Sequence, residues 1–161
     1  MLTLSASVCQ TVDMNGAEHA SAEDLGLLVK ETQTLLHQRM TEALRPLGLS
    51  VPQYACLQAL HDTPGITGSE LARRVFVSRQ SMNVLLQGLE GRGLVERSDR
   101  PGPRRERATT ISATATETLA LGRAAVSGVA ARMVGGLEQE DRDRLRTLLA
   151  ACSDALLHEE R

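Results

Sequence analysis

Two groups of side chains stand out as able to do chemistry, and the chemistry is recognition rather than bond breaking. The first is the run Ser78-Arg79-Gln80-Ser81-Met82-Asn83-Val84, continued by Gln87. Asn and Gln amides pair with the N6 and N7 of adenine, and an apolar Val can touch a thymine methyl group. Arg79 stands where it can bind a phosphate or a guanine edge. The second group is Arg100, Arg104, Arg105 and Arg107, gathered around Pro101-Gly102-Pro103 with only Asp99 and Glu106 to offset them. Guanidiniums held this close repel one another unless a polyanion lies beside them. Arginine inserted into a narrow minor groove is a recurrent solution.

The elements that must position these groups follow from local signals. Ser78 is a helix cap, and the helix it opens runs to about Arg92, with Gly93 closing it. At 100° per residue, Met82, Leu85, Leu86 and Leu89 fall on one face, which must be core. Gln80, Asn83, Val84 and Gln87 fall on the opposite face, with Arg79 at its flank. Before it, Thr67-Gly68-Ser69-Glu70 is a capping box that starts a short helix from Gly68 to Val75. Phe76-Val77 then has room only for a turn. After it, Leu94 to Ser98 and Ala108 to Ser112 have strand character and flank the arginine loop, whose prolines stiffen it. A helix for the major groove and a hairpin tip for the adjacent minor groove make a winged helix-turn-helix arrangement.

Charge is distributed accordingly. The net charge of the 161-residue chain is only −2, yet residues 71–107 hold nine Arg against four acids, Glu90, Glu96, Asp99 and Glu106. A basic patch on an otherwise acidic protein is an electrostatic footprint for a polyanion. The chain is 42% hydrophobic but has one Phe, one Tyr and no Trp. Its core must therefore come from Leu, Ala, Val and Met, which favours helices.

The rest of the chain reads as a flexible tail at 1–21 followed by a long amphipathic helix. Leu25, Leu28, Val29, Thr32, Leu36, Met40, Ala43 and Leu47 keep helical spacing until Pro46 and Gly48 end it. Leu27, Leu35 and Leu44 widen the apolar arc beyond one core stripe, which points to a subunit interface. Ser50 caps a helix to about Asp62, with Pro52 in its first turn. Two closing helices follow. One starts near Ser112 or Thr114, where Thr114 and Glu117 can form a second capping box; the other spans about 138–158 with a stripe of Leu145, Leu148, Leu149, Cys152 and Leu156.

Several function classes find no support. There is no Ser-His-Asp set, phosphate-cradling glycine loop or paired catalytic carboxylates, so an enzyme is not expected. Cys9, Cys56 and Cys152 are widely spaced and form no CxxC, and the four His form no HxxxH pair. No metal or other cofactor is expected. Cys56 and Cys152 fall on apolar faces and read as small buried hydrophobes. No apolar run spans a bilayer, and no cation precedes Lys30 as a secretory signal requires. The expected location is the cytoplasm.

The segments Leu71-Ala72-Arg73-Arg74, Val77-Ser78-Arg79-Gln80-Ser81, Leu89-Glu90-Gly91-Arg92-Gly93-Leu94-Val95-Glu96-Arg97 and Arg104-Arg105 resemble the MarR family of bacterial transcription regulators. The resemblance implies a mainly α fold with a small β-hairpin wing. Residues 49–111 would form the winged helix-turn-helix domain, and 22–48 with 112–158 the helices of a homodimer. It implies a ligand-responsive repressor of double-stranded DNA, reading a pseudo-palindromic operator. Ser78, Arg79, Gln80, Ser81, Asn83, Val84, Gln87, Arg100, Arg104, Arg105 and Arg107 would contact DNA. A small, often aromatic or anionic effector would bind between the two regions, where Leu36, His37, Met40, Tyr54 and Cys56 are candidate lining residues. The family's wing usually carries an Asp just before its Arg pair; here Pro103 stands there, so the prolines or Asp99 must hold the wing. Two further readings are a thiol-based redox-sensing regulator, for which Cys9 lies too far upstream and lacks a Tyr neighbour, and a low-specificity architectural DNA-binding protein.

Overall fold

The computed structural model describes residues 21–98 and 109–158. The chain falls into two compact units, Met1–Gln33 and Thr34–Arg161. The first contains the start of helix α1 (Ala22–Leu44). Ser21 caps it, its hydroxyl oxygen accepting from the Asp24 N–H at 3.0 Å. Within this unit Leu25, Leu27, Leu28 and Val29 are all exposed.

The second unit begins with the remainder of α1, which passes into a 3-10 turn, Arg45–Leu47. Pro46 stands in that turn, and Gly48 at φ 63 reverses the chain. Ser50 then opens α2 (Val51–Asp62) with a capping box: its hydroxyl accepts from the Gln53 N–H while the Gln53 side chain accepts from the Ser50 N–H. The expected Thr67–Glu70 box is present at the start of α3 (Gly68–Arg74). The Thr67 hydroxyl and backbone N–H bond the Glu70 carboxylate and hold its pKa below the ordinary value.

Both ends of the helix-turn-helix close with the same device. At the end of α3 the Val77 N–H donates to the Ala72 carbonyl at 3.0 Å and the Phe76 N–H to the Arg73 carbonyl at 3.2 Å. That is a Schellman turn, and its left-handed position is Phe76, at φ 56. Helix α4 (Arg79–Gly91) closes with Leu94 N–H to the Leu89 carbonyl and Gly93 N–H to the Glu90 carbonyl, both at 2.9 Å, with Gly93 at φ 67. At its other end, Ser78 caps α4 by accepting from the Ser81 N–H at 3.0 Å.

Strands β1 (Val95–Arg97) and β2 (Thr109–Ile111) pair antiparallel, with Val95 opposite Ile111 and Arg97 opposite Thr109. The closing helices are α5 (Ala113–Met133) and α6 (Gln139–His158). One expectation is corrected here: Thr114 lies inside α5 and makes no capping box with Glu117. Ser112 is the cap, accepting from the Ala115 N–H at 3.1 Å. The same hydroxyl donates to the Gly93 carbonyl at 2.8 Å, so one side chain ties the hairpin to the end of α4.

The core gathers Leu44, Leu57, Leu60, Leu71, Met82, Leu86, Leu89, Val95, Ala115 and Leu119 from α1 to α5. Each large side chain removed from water in this way stabilises the fold by about 1.5–3 kcal/mol. Cys56 joins this core as expected, its sulfur 3.8 Å from that of Met82. Cys152 does not. It is exposed: α6 buries none of its residues, and of its leucine stripe Leu145 is half-buried while Leu148, Leu149 and Leu156 are exposed.

Candidate nucleic-acid interface

Helix α4 is divided as its spacing predicts. Met82, Leu86 and Leu89 are buried and Leu85 is half-buried, while Arg79, Gln80, Asn83, Val84 and Gln87 are exposed. The core anchors one face and the other presents amides and an apolar Val to solvent. Ser78 and Ser81 are exposed but already engaged: their hydroxyls lie 2.8 Å apart, and Ser78 holds the cap. Pro52, Val77, Gln80, Ser81, Val84 and Leu85 line an open, mainly apolar groove of about 420 Å³ beside this face. Pro52 joins it from the first turn of α2, which no spacing along α4 could indicate.

Arg100, Arg104, Arg105 and Arg107, expected on the wing, lie outside the described residues. At the base of the wing, Arg97 is half-buried and its Nε is enclosed with no hydrogen-bond partner among the described residues.

Other cations of the basic segment hold the domain together. Arg92, the residue after α4, donates through Nη1 to the Gly48 carbonyl at 2.7 Å and through Nη2 to the Leu47 carbonyl at 3.2 Å. It thereby fastens the far end of α4 to the turn after α1. Gly48 sits at φ 63, which favours glycine, and a Cβ there would stand 3.2 Å from Arg92 Nη2, so the guanidinium would have to shift slightly. Arg74 donates to Thr63 Oγ1 at 2.7 Å. Arg73 and Arg79 are exposed.

A second polar cluster joins α5 to α2. Arg123 Nε donates to Gln58 Oε1 at 2.9 Å and Nη2 to Asp62 Oδ1 at 2.8 Å. Gln58 Nε2 donates to Asp62 Oδ2 at 2.8 Å, and the Tyr54 hydroxyl donates to Gln58 Oε1 at 3.3 Å. His61 Nδ1 lies 3.2 Å from Asp62 and 3.1 Å from Arg123, and it can donate to the first or accept from the second. Burial raises the Tyr54 pKa, with Arg123 pulling the other way.

Of the candidate effector residues, Leu36, Met40 and Tyr54 are half-buried and His37 is exposed. Cys56 has no exposed surface for a ligand, and burial pushes its thiol up to about 12. Among the described residues no group of His, Cys, Asp and Glu could hold a metal ion. Among them, too, no helix is long and apolar enough to cross a membrane.

Comparison with known proteins agrees with this geometry. The MarR family profile matches residues 47–106. The HTH-type transcriptional repressor Rv2887 of Mycobacterium tuberculosis is 34% identical over 128 residues, covering 77% of this chain and 92% of that protein. Its crystal structure in complex with DNA superposes with a TM-score of 0.65 at 30% identity, covering 80% of this chain and 96% of that one. Its complex with salicylic acid gives the same TM-score and identity, covering 80% and 95%. The transcriptional repressor CouR bound to a 23-mer DNA duplex reaches a TM-score of 0.74 at 28% identity, covering 81% and 93%. The chain therefore belongs to the MarR family, as a winged helix-turn-helix transcription regulator and not an enzyme.

Proposed function

We propose that this chain is a homodimeric repressor that reads a pseudo-palindromic operator and releases it when a small molecule binds. The observation that carries the reading is the division of α4: a buried Met82–Leu86–Leu89 face fixes a helix whose opposite face offers Gln80, Asn83, Val84 and Gln87. Those side chains suit A·T pairs in a major groove. Arg100, Arg104, Arg105 and Arg107 would supply the cationic wing, and Arg79 a phosphate or guanine contact.

Unpartnered apolar surface supports the dimer. Leu25, Leu27, Leu28 and Val29 on α1 are exposed, and so are Leu148, Leu149, Leu156 and Leu157 on α6. A helix of 20 residues with a leucine stripe and nothing buried needs a partner to be stable. Two α4 helices about 34–36 Å apart would then meet successive major grooves.

The effector reading rests on relatives and on four side chains. Rv2887 has been crystallised with salicylic acid, so an aromatic carboxylate is the first class to test, with Leu36, His37, Met40 and Tyr54 as its lining. Burial of Cys56 counts against a thiol switch at that residue.

The test is fluorescence anisotropy on the gene's own upstream region against random DNA of equal length, with and without salicylate. A sequence-specific repressor binds the upstream region more tightly and loses it as salicylate rises. Equal affinity for both DNAs would favour an architectural role instead. Sedimentation of the free protein gives the oligomeric state.

A further inference from the structure

Phe76 is, among the described residues, the one non-glycine residue with positive φ, at 56. It is the only Phe in the chain, and it is 87% exposed. Its backbone occupies the left-handed position of the Schellman turn that closes α3, a position that favours glycine. The end of α4 shows the ordinary solution, with Gly93 in the same role. The chain thus puts a bulky apolar residue where the backbone disfavours it and leaves its side chain in solvent. Neither local propensity nor core packing accounts for that choice, and such outliers concentrate at functional sites.

Position accounts for it. Phe76 lies two residues before Ser78, the cap of α4, between the exposed Arg73 and Arg79. In helix-turn-helix docking the first helix crosses the sugar–phosphate backbone while the second enters the groove. The turn between them then lies against one DNA strand. Arginines meet its phosphates, but the deoxyribose rings between phosphates are apolar and call for a flat apolar surface. A Phe supplies that surface with only two side-chain rotations to fix.

We propose that Phe76 is an operator-contact residue whose ring lies on the deoxyribose face of the strand bordering the groove that α4 enters, setting how deeply α4 sits. The proposal rests on the reading of α4 as the DNA-reading helix.

The test compares Phe76→Gly, Phe76→Ala and Phe76→Leu with the wild type on the upstream DNA and on random DNA, across a salt series. The Gly and Ala variants should lose roughly fivefold to tenfold in operator affinity, and Leu less. The slope of log affinity against log salt should stay unchanged, because no charge is removed. Phe76→Gly should also keep or raise the melting temperature, since relief at the left-handed position offsets the freer unfolded chain. Wild-type affinity in Phe76→Gly would overturn the contact, and so would a collapse of its melting temperature, which would make the ring structural. Gln80→Ala serves as the control. If the wild type does not distinguish the two DNAs and Gln80→Ala changes nothing, the reading of α4 falls and the contact with it. If Gln80→Ala shifts sequence preference while Phe76→Gly binds normally, only the contact falls.

Discussion

Arg123 Nη2 stands 2.8 Å from Asp62 Oδ1, so a single ion pair joins the long helix α5 to the end of α2. The Asp62 carboxylate serves more than this pair. Its other oxygen accepts from Gln58 at 2.8 Å and lies 3.9 Å from Arg74 Nη2 on α3. One carboxylate therefore connects α5, α2 and the first helix of the helix-turn-helix. An exposed pair alone stabilises little, but a shared acceptor fixes relative position, which is what a regulator that must orient α4 requires.

Acid should loosen this junction. The Gln58 amide, then the His61 ring and Arg123, hold the Asp62 pKa below the ordinary aspartate value. A depressed carboxylate stabilises the fold fully above its unfolded value of about 3.9, and loses that contribution as pH falls through the lower folded value. Asp62→Asn should lower the melting temperature at pH 7, and its deficit against the wild type should narrow below about pH 4. Thermal unfolding of both proteins between pH 7 and pH 3 checks this. A deficit independent of pH would mean that the charge of Asp62 is not what matters.

Close packing makes a second point of contact between the same helices. A Cβ on Gly122 would stand 3.0 Å from Tyr54 Cδ2 and 3.5 Å from Leu44 Cδ2. Replacing a mid-helix glycine by alanine ordinarily gains about 1 kcal/mol. Overpacking costs about 1–3 kcal/mol, so here the clash should win or cancel the gain. Gly122→Ala should be neutral to about 2 kcal/mol destabilising in urea unfolding, and Gly122→Leu worse. Adding Tyr54→Leu should recover part of the loss, since the two positions touch. A stabilised Gly122→Ala would mean that α5 can move away from α2 freely.

How far the chain could be read in advance depended on whether the signal was local. The cap at Ser50, the box at Thr67, the cap at Ser78 and the two faces of α4 all follow from local spacing, and all are present; that Gln53 completes a box at Ser50 is added by the structure. Thr114 misled because it too satisfies a local pattern; Ser112 prevails because its hydroxyl also reaches Gly93, 19 residues away. Long-range partnerships such as Arg92 with Gly48, Arg123 with Asp62 and Gly122 with Tyr54 carry no periodic signature. Phe76 looked like a residue of a featureless turn, because its significance lies in φ and exposure. Cys152 has the spacing of a core residue, but spacing does not say what covers a face, and among the described residues it is exposed.

The proposed base reading by α4 has a distinguishable signature. Gln80 and Asn83 are exposed on the face opposite Met82 and Leu86. If each makes a bidentate contact to an adenine, Gln80→Ala or Asn83→Ala should cost about 1–3 kcal/mol at individual base pairs and relax preference there. Binding to operators substituted one base pair at a time separates this from phosphate contact. A uniform loss across all sequences would assign these amides to the backbone instead.

The wing should behave in the opposite way. Arg104 and Arg105 follow Pro103 in a segment of nine Arg and four acids between residues 71 and 107; in the proposed interface their guanidiniums would meet phosphate and the minor groove. A dimer making about 6–10 phosphate contacts loses roughly 10³–10⁵ in affinity between 50 and 200 mM salt. Arg104→Ala with Arg105→Ala should weaken binding to operator and random DNA alike. It should also reduce the salt slope by about 1 for each phosphate contact removed per subunit. Testing the two replacements separately shows which guanidinium carries the effect, which matters because Pro103 cannot orient its neighbour as a carboxylate would. Unchanged affinity in the double variant would remove the wing from the interface and leave α4 and the turn before it as the whole reading surface.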